Sequence, residues 1–505
     1  MTDLTELPPL RVLAAAGRPR PGAGLAIVLT GQAMAVLDAT IVNVAVPSMH
    51  AGLHASGAAL QLIVAGYTIA YAVLLVTGAR LGDIIGHRRM FRAGVALFTL
   101  ASLGCGLAPS AGALIALRFI QGVGAAVMIP QVLSLIQRTY TAPGPRARAM
   151  SVYATVLSAG AVLGQVVGGV LISADLFGTT WRPIFLVNVP VGLAVLAFSG
   201  LLPAGRFNGA RSLDLPGLFT LTPAVLAFVL PLVLGQPLGW PAWGWALLGA
   251  SAVGFAVLAF VERRVDARGG QPIVPRALIG LPGVVPGICG LFAVMVMFGG
   301  WLFGFTLQMQ DGLGESALRS GLTFAPAAVA WALVSLNWQR LPARLHAGLP
   351  AAGFVLGGLG LLALGLLLRS GGTGGWWLYA AAVISGSGMA AAFAPLMTRV
   401  LSRVPVAIAA DASGVVVTVN QLGIVTGIAT FGSLYLNLAG RLPGHLSSAF
   451  ALSSAHAYLT TSVALAGLGV VGVLLAVAHV RSAARPVPVT VAARQAESAP
   501  RGARQ

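Results

Sequence analysis

Apolar runs of roughly membrane-spanning length recur along almost the whole chain, each closed by a short polar or glycine-rich stretch. They fall at 25–47, 58–79, 92–110, 112–136, 149–172, 183–203, 216–235, 242–261, 283–307, 320–340, 349–368, 376–398, 413–437 and 457–480. About 20 apolar residues carry a helix across the hydrocarbon core of a bilayer, and backbone groups in lipid must be satisfied within the segment itself. The residue-by-residue alternation of a membrane strand is absent. The pattern therefore predicts an all-α polytopic membrane protein with fourteen transmembrane helices. The first run is too long for a signal-peptide core and is followed by no small-residue cleavage site, so it is expected to remain as a membrane helix.

Composition removes the soluble alternatives. Of 505 residues, 57% are apolar and only 8% charged, against roughly 25% charged in soluble domains. The net charge of +18 comes entirely from arginine, in single residues and short clusters between the runs. No basic helix or aromatic-interleaved patch forms, so no nucleic-acid partner is expected. Placing the N-terminus in the cytoplasm and alternating the loops puts 25 of the 30 arginines on the cytoplasmic side, Arg146, Arg263, Arg340 and Arg403 among them. Arg182, Arg319, Arg369 and Arg441 fall outside, and Arg118 lies within a run. Positive charge collects in cytoplasmic loops, so both termini are expected in the cytoplasm of a bacterial cytoplasmic (inner) membrane. Trp181, Trp240, Trp243 and Trp245 flank outer loops as an interfacial belt would. Cys105 and Cys289 read as two small buried residues, with no disulfide or metal set.

Asp38 is the carboxylate placed deep in a run. Such a residue costs about 2.5–3.5 kcal/mol at mid-membrane on insertion scales, which makes it a functional candidate. It can bind a proton or face a cation, and Arg118 in the fourth run is the natural partner. Counting 1.5 Å per residue, Asp38 sits about 13 Å from the outer end of its helix and Arg118 about 9 Å from the same side. Gln121 shares a face with Arg118. The pair reads either as a static ion pair that fixes packing or as a proton-coupling or substrate group. Asn43, Gln121, Gln165, Asn420 and Gln421 are the further polar candidates to face a cavity or substrate.

The stretch from Gly78 to Met90, after the second run, reads as a loop and holds Gly78, Gly82, Asp83, Gly86, His87, Arg88 and Arg89. The four-residue glycine spacing predicts close backbone approach. Asp83 is placed to pair with Arg138 or Arg146, as a latch between states or as plain cytoplasmic anchoring. A similar stretch, Arg340 to Arg344, follows the tenth run. Gly160, Gly164, Gly168 and Gly169 form a small-residue stripe for helix packing, repeated in the thirteenth run by Gly423 and Gly427. Phe292, Met295, Met297 and Phe298 read as lipid-facing filler or as an adaptable contact surface. There is no GxSxG elbow, P-loop, HExxH or CxxC pair, so no enzyme and no ATP-driven machine is expected. His50 and His54 are spaced i, i+4 without further ligands, so no metal site is expected.

Several of these segments resemble the major facilitator superfamily, specifically its fourteen-helix drug:proton antiporters of the EmrB/QacA type. Leu37 to Pro47 resembles their first-helix motif, Gly78 to Arg89 the superfamily loop signature, and Arg118 to Gly124 the fourth-helix motif. Trp181 to Phe185 with Asn188-Val189-Pro190, Gly312-Leu313-Gly314 with Ser320-Gly321-Leu322, and Ser413-Gly414 with Gln421-Leu422-Gly423 also fit. The resemblance implies an N-terminal six-helix bundle (25–203), a two-helix insert (204–270) and a C-terminal six-helix bundle (271–480), between a cytoplasmic N-terminal tail (1–24) and a cytoplasmic tail (481–505) whose Arg-, Pro- and Ala-rich composition predicts disorder. It implies multidrug efflux and antibiotic resistance by alternating access in a monomer. Asp38 and Arg118 would couple protons, and the Gly78–Arg89 segment would gate. The implied partners are a small amphipathic substrate, protons and the lipid bilayer; no cofactor is needed beyond the proton-motive force. An endogenous metabolite, lipid or siderophore is the alternative cargo, and a non-transporting sensor the remaining reading. One departure is Gln165, where the family's fifth-helix antiporter motif has proline after the glycine; glutamine cannot bend the helix as proline does. The later runs also lack extra acids, which points to neutral or anionic substrates, or a narrow range, over multivalent cations.

Overall fold

The computed structural model describes residues 21–483, apart from 56, 175–177, 204–214, 236–237, 269, 271, 406–407 and 440–447. The N-terminal tail, most of the C-terminal tail and Arg441 lie outside the described residues. The apolar runs fold as long helices: α1 (Pro21–Leu53), α2 (Gly57–Ile85), α3 (His87–Leu107), α4 (Ala111–Thr139) and α5 (Pro143–Ser173) come first. Next come α6 (Asn188–Phe198, entered through the short helix Pro183–Leu186), α7 (Leu215–Leu234) and α8 (Ala242–Ala267). The chain continues with α9 (Val284–Leu307), α10 (Ala317–Asn337), α11 (Leu349–Leu368), α12 (Gly375–Ser402), α13 (Ala409–Ala439) and α14 (Ser448–Ala483). No strand occurs among the described residues. Twelve described helices are long and apolar enough to cross a membrane. The other two of the expected positions hold α5, 31 residues long, and α7, whose apolar stretch Pro216–Leu232 is shorter than a full crossing by the same measure.

Helices α1 to α6 pack mainly on one another, as do α9 to α14, while α7 and α8 pair and lay α7 against α2 and α13. The bundles meet where α5 lies along α10 and α2 along α13. Large apolar side chains such as Phe219, Leu100, Val253 and Leu474 remain exposed, the surface expected of a protein solvated by lipid. Small residues set the closest approaches, because association within lipid depends on packing. A Cβ at Gly78 would fall on the Ala126 carbonyl of α4, and one at Gly427 on the Val296 carbonyl of α9.

Four expectations are corrected. The segment from Gly78 to Met90 is not a loop: α2 runs to Ile85 and α3 starts at His87, with Gly86 alone between them at φ +103°. Gly86 therefore serves a left-handed turn rather than packing, and nothing lies within 4 Å of its Cβ position. Met295 and Met297 are buried inside the second bundle, and Phe298 stacks edge-on against Trp301 and Trp331, so this stretch of α9 is core and not lipid-facing. Cys289 is exposed rather than buried, unlike Cys105. A helix apolar all round carries no signal of which face turns inward.

Candidate functional site

Asp38 lies in the middle of α1 and is fully buried, as is Arg118 of α4. Their side chains meet: Arg118 Nη1 donates to Asp38 Oδ2. The other carboxylate oxygen accepts from Gln121 Nε2 at 2.8 Å and from Asn188 Nδ2 of α6 at 3.1 Å. Ser102 of α3 ties the two amides together, its Oγ accepting from Gln121 Nε2 (3.2 Å) and Asn188 Nδ2 (3.0 Å) and donating to the Phe185 carbonyl (2.9 Å). Arg118 is held further by Nε donating to the Ile63 carbonyl of α2 at 3.1 Å and Nη1 to Gln121 Oε1 at 2.8 Å. The Tyr67 ring centroid lies 4.7 Å from its guanidinium carbon, close enough for a cation–π contact. Five helices of the first bundle thus converge on one carboxylate. A buried charge is tolerated when it is paired and its remaining lone pairs are filled, and both conditions hold for Asp38. Arg118 Nη2 has no hydrogen-bond partner among the described residues.

The cluster borders a cavity of about 380 Å³ between α1, α5 and α6. Its walls are apolar, with Met34, Leu37, Val156, Val167 and Val191 prominent, and Asp38 and Asn188 add polar groups to that lining. The arrangement can present a carboxylate and an amide to a small, largely apolar ligand.

A second polar cluster occupies the arginine-rich end of the same bundle. Asp83 lies 3.4 Å from His87 Nε2 and 4.0 Å from Arg138 Nη2. His87 Nδ1 is 2.7 Å from Gln131 Oε1, and Gln131 Nε2 donates to the Gly78 carbonyl at 2.7 Å. Gly82 packs against the Gln131 side chain with no room for a Cβ. The bundles are joined at this end by Gln137 Nε2 donating to Ser413 Oγ (2.6 Å), Gln339 Nε2 to Ser151 Oγ (3.2 Å) and Arg146 Nη2 to the Leu401 carbonyl (3.3 Å).

Residues 28–428 match the family model described as Major Facilitator Superfamily. The chain belongs to the major facilitator superfamily. This facilitator is 36% identical over 437 residues to a probable actinorhodin transporter of Streptomyces coelicolor, a match covering 84% of this chain and 75% of the relative. It is 37% identical over 443 residues to the cephamycin export protein CmcT of Amycolatopsis lactamdurans, covering 84% and 88% respectively. Among solved structures, the proton:xylose symporter XylE aligns with a TM-score of 0.61 at 15% identity, over 90% of this chain and 94% of that one. At that identity the likeness is one of fold.

The facilitator brings some of the expected site residues together and separates others. Asp38, Arg118 and Gln121 form one cluster, but Gln121 spends its amide on Asp38 rather than facing the open cavity. Asn420 is buried in α13, with its Oδ1 lacking a hydrogen-bond partner among the described residues, and Gln421 beside it is half-buried. The side chains of Asn43 and Gln165 lie outside the described residues. Asp83 takes the Arg138 partner expected of it, and Arg146 goes instead to α12. Arg88 and Arg89 form no ion pair among the described residues. In the glycine stripe of α5, Gly160 faces Val36 and Gly164 faces Leu37 and Thr40 of α1, whereas Gly169 faces Leu318 of α10 across the bundle seam; Gly168 is buried. Gly423 and Gly427 both face α9. Asn188 and Ser102 were not singled out as site residues by their own chemistry, and neither were His87 and Gln131 in the second polar cluster. No cluster of metal-ligating side chains occurs among the described residues, His54 included.

Proposed function

We propose that this facilitator is a secondary active exporter of small amphipathic drugs or natural products, driven by proton antiport through alternating access. The observation that carries the reading is Asp38, buried among apolar helices, held by Arg118, Gln121 and Asn188, and lining a cavity. In the conformation described, Arg118 is the counter-charge of the carboxylate. In the proposed cycle a proton takes that place when the site opens to one side of the membrane, and leaves when it opens to the other. The relatives support the cargo class: one is named for actinorhodin transport and another for cephamycin export. These names favour export of a natural product over the alternative cargoes. Fourteen crossings, cytoplasmic termini, a bacterial cytoplasmic membrane and a monomeric unit belong to the same proposal. The Asp83, His87, Gln131 and Arg138 cluster would gate it, fastening the arginine-rich end in this state. No cofactor is invoked beyond the proton-motive force.

One proton is energetically sufficient. Moving one charge through 100 mV supplies about 2.3 kcal/mol, which sustains a gradient of roughly 50-fold for a neutral substrate. The test uses everted vesicles with a preset pH gradient and an anthracycline or polycyclic quinone as probe. Addition of a transported compound should discharge part of the gradient in vesicles holding the protein and not in empty ones. Transport of the probe with no proton movement would remove antiport, and absence of transport across a panel of such compounds would remove export.

A further inference from the structure

The arginine-rich end of the second bundle contains a cavity of about 470 Å³ that the transport reading does not use. Its walls are Arg399, Ser402 and Arg403 at the end of α12, and His479, Val480 and Ala483 at the end of α14. Arg399 and Arg403 stand one helical turn apart, where like charges repel. Neither forms an ion pair with a carboxylate among the described residues. Arg403 is anchored by Nη1 donating to the Pro282 carbonyl (3.4 Å) and Nη2 to the Ala483 carbonyl (3.3 Å). The guanidinium of Arg399 makes no such bond among the described residues.

His479 adds an imidazole, and it is oriented. Its Nδ1 lies 2.7 Å from the Gly283 carbonyl. A carbonyl only accepts, so Nδ1 carries the hydrogen. Nε2 has no hydrogen-bond partner among the described residues, although the side chain is only 1% exposed. Buried polar atoms in folded proteins are paired with protein, water or ligand. Two guanidiniums without an acid and a buried imidazole whose free Nε2 is an acceptor thus border one cavity, which suits an anion that also carries a hydroxyl donor. The setting narrows the source. Both helices end here, and α14 exposes Val470, Val471 and Leu474, roughly 8–14 Å deeper along its axis than His479. A headgroup in the cavity would leave its acyl chains against that apolar surface. Basic pockets between the ends of membrane helices are built for anionic headgroups.

We propose that this cavity binds the phosphate of an anionic phospholipid, in the leaflet that meets the arginine-rich loops. Arg399 and Arg403 contact the phosphate oxygens, and His479 Nε2 accepts from a hydroxyl of the headgroup. It lies next to the Arg146 bond to the Leu401 carbonyl, so the headgroup sits beside one of the contacts that join the two bundles.

The test uses the full-length protein in mild detergent, with lipid binding followed by native mass spectrometry and by thermal unfolding. Phosphatidylglycerol, phosphatidylcholine and inorganic phosphate are titrated separately. The expected result is retention of phosphatidylglycerol in preference to phosphatidylcholine, with affinity reduced about fivefold by Arg399→Gln and about 25-fold by Arg399→Gln with Arg403→Gln. If Arg403→Gln disturbs folding by releasing Pro282 and Ala483, Arg399→Gln alone decides. Unchanged phosphatidylglycerol affinity in Arg399→Gln would overturn the site. Equal binding of phosphatidylcholine would overturn its anion selectivity. Inorganic phosphate bound as tightly as phosphatidylglycerol would overturn the lipid source and leave a free-anion site.

Discussion

Removing Arg118 while keeping its volume should damage this protein more than removing the whole charge pair. In Arg118→Met, Asp38 loses its ionic partner among the described residues and keeps two amide donors, Gln121 and Asn188. Breaking a buried pair by deleting one partner costs about 3–5 kcal/mol, whereas replacing both partners with neutral groups is often close to neutral. Both side chains here are fully buried, so solvent screening gives no relief. Asp38→Asn strands the guanidinium in the same way, although the new amide oxygen can still accept one of its hydrogens. The double variant Asp38→Asn with Arg118→Met should therefore recover about 2–3 kcal/mol relative to the sum of the two single losses. The assay is equilibrium unfolding in mixed micelles, read by intrinsic fluorescence for all four forms. Losses that add to within about 0.5 kcal/mol would refute the reasoning, because they would mean that the two charges are not coupled in the folded protein.

Further predictions concern packing and exposure. A Cβ at Gly164 would land on Thr40 Oγ1 and lie 2.9 Å from the Leu37 carbonyl, so Gly164→Val should cost about 1–3 kcal/mol by overpacking the α1–α5 seam. Gly112→Ala, where nothing lies within 4 Å, should change stability by less than about 0.5 kcal/mol in the same unfolding assay. In detergent micelles a lipophilic maleimide should modify Cys289, which is exposed, and spare Cys105, which is buried against Gln121. Mass spectrometry of the labelled protein would show neither cysteine modified if α9 were turned the other way.

The sequence showed the bilayer and the charge pair for one reason each. Long apolar runs have one stable solution in lipid, and a lone acid in such a run stands out because it is costly. Helix rise then set the depths of Asp38 and Arg118 close enough to meet, and they do. Lateral neighbours are another matter, because rise says nothing about which helix lies beside which. Asn188 reaches Asp38 from 150 residues away, and a single amide in an apolar run gives little signal of its own. Ser102 was hidden for the same reason. The Asp83 cluster was legible in part: Asp83 to Arg138 follows from charge, while His87 to Gln131 needed the one-residue break at Gly86, which shares its four-residue spacing with two true packing glycines. Met295, Met297 and Cys289 were misassigned because α9 is apolar on every side, so the pattern could not say which face is core.

The central claim is that the Asp38 carboxyl carries the coupled proton. The most direct measurement compares wild type with Asp38→Asn in proteoliposomes, following exchange of labelled substrate at equilibrium and its accumulation against a gradient under an imposed proton-motive force. The account predicts that Asp38→Asn retains exchange but accumulates nothing uphill. Uphill accumulation by Asp38→Asn at the wild-type level would contradict it.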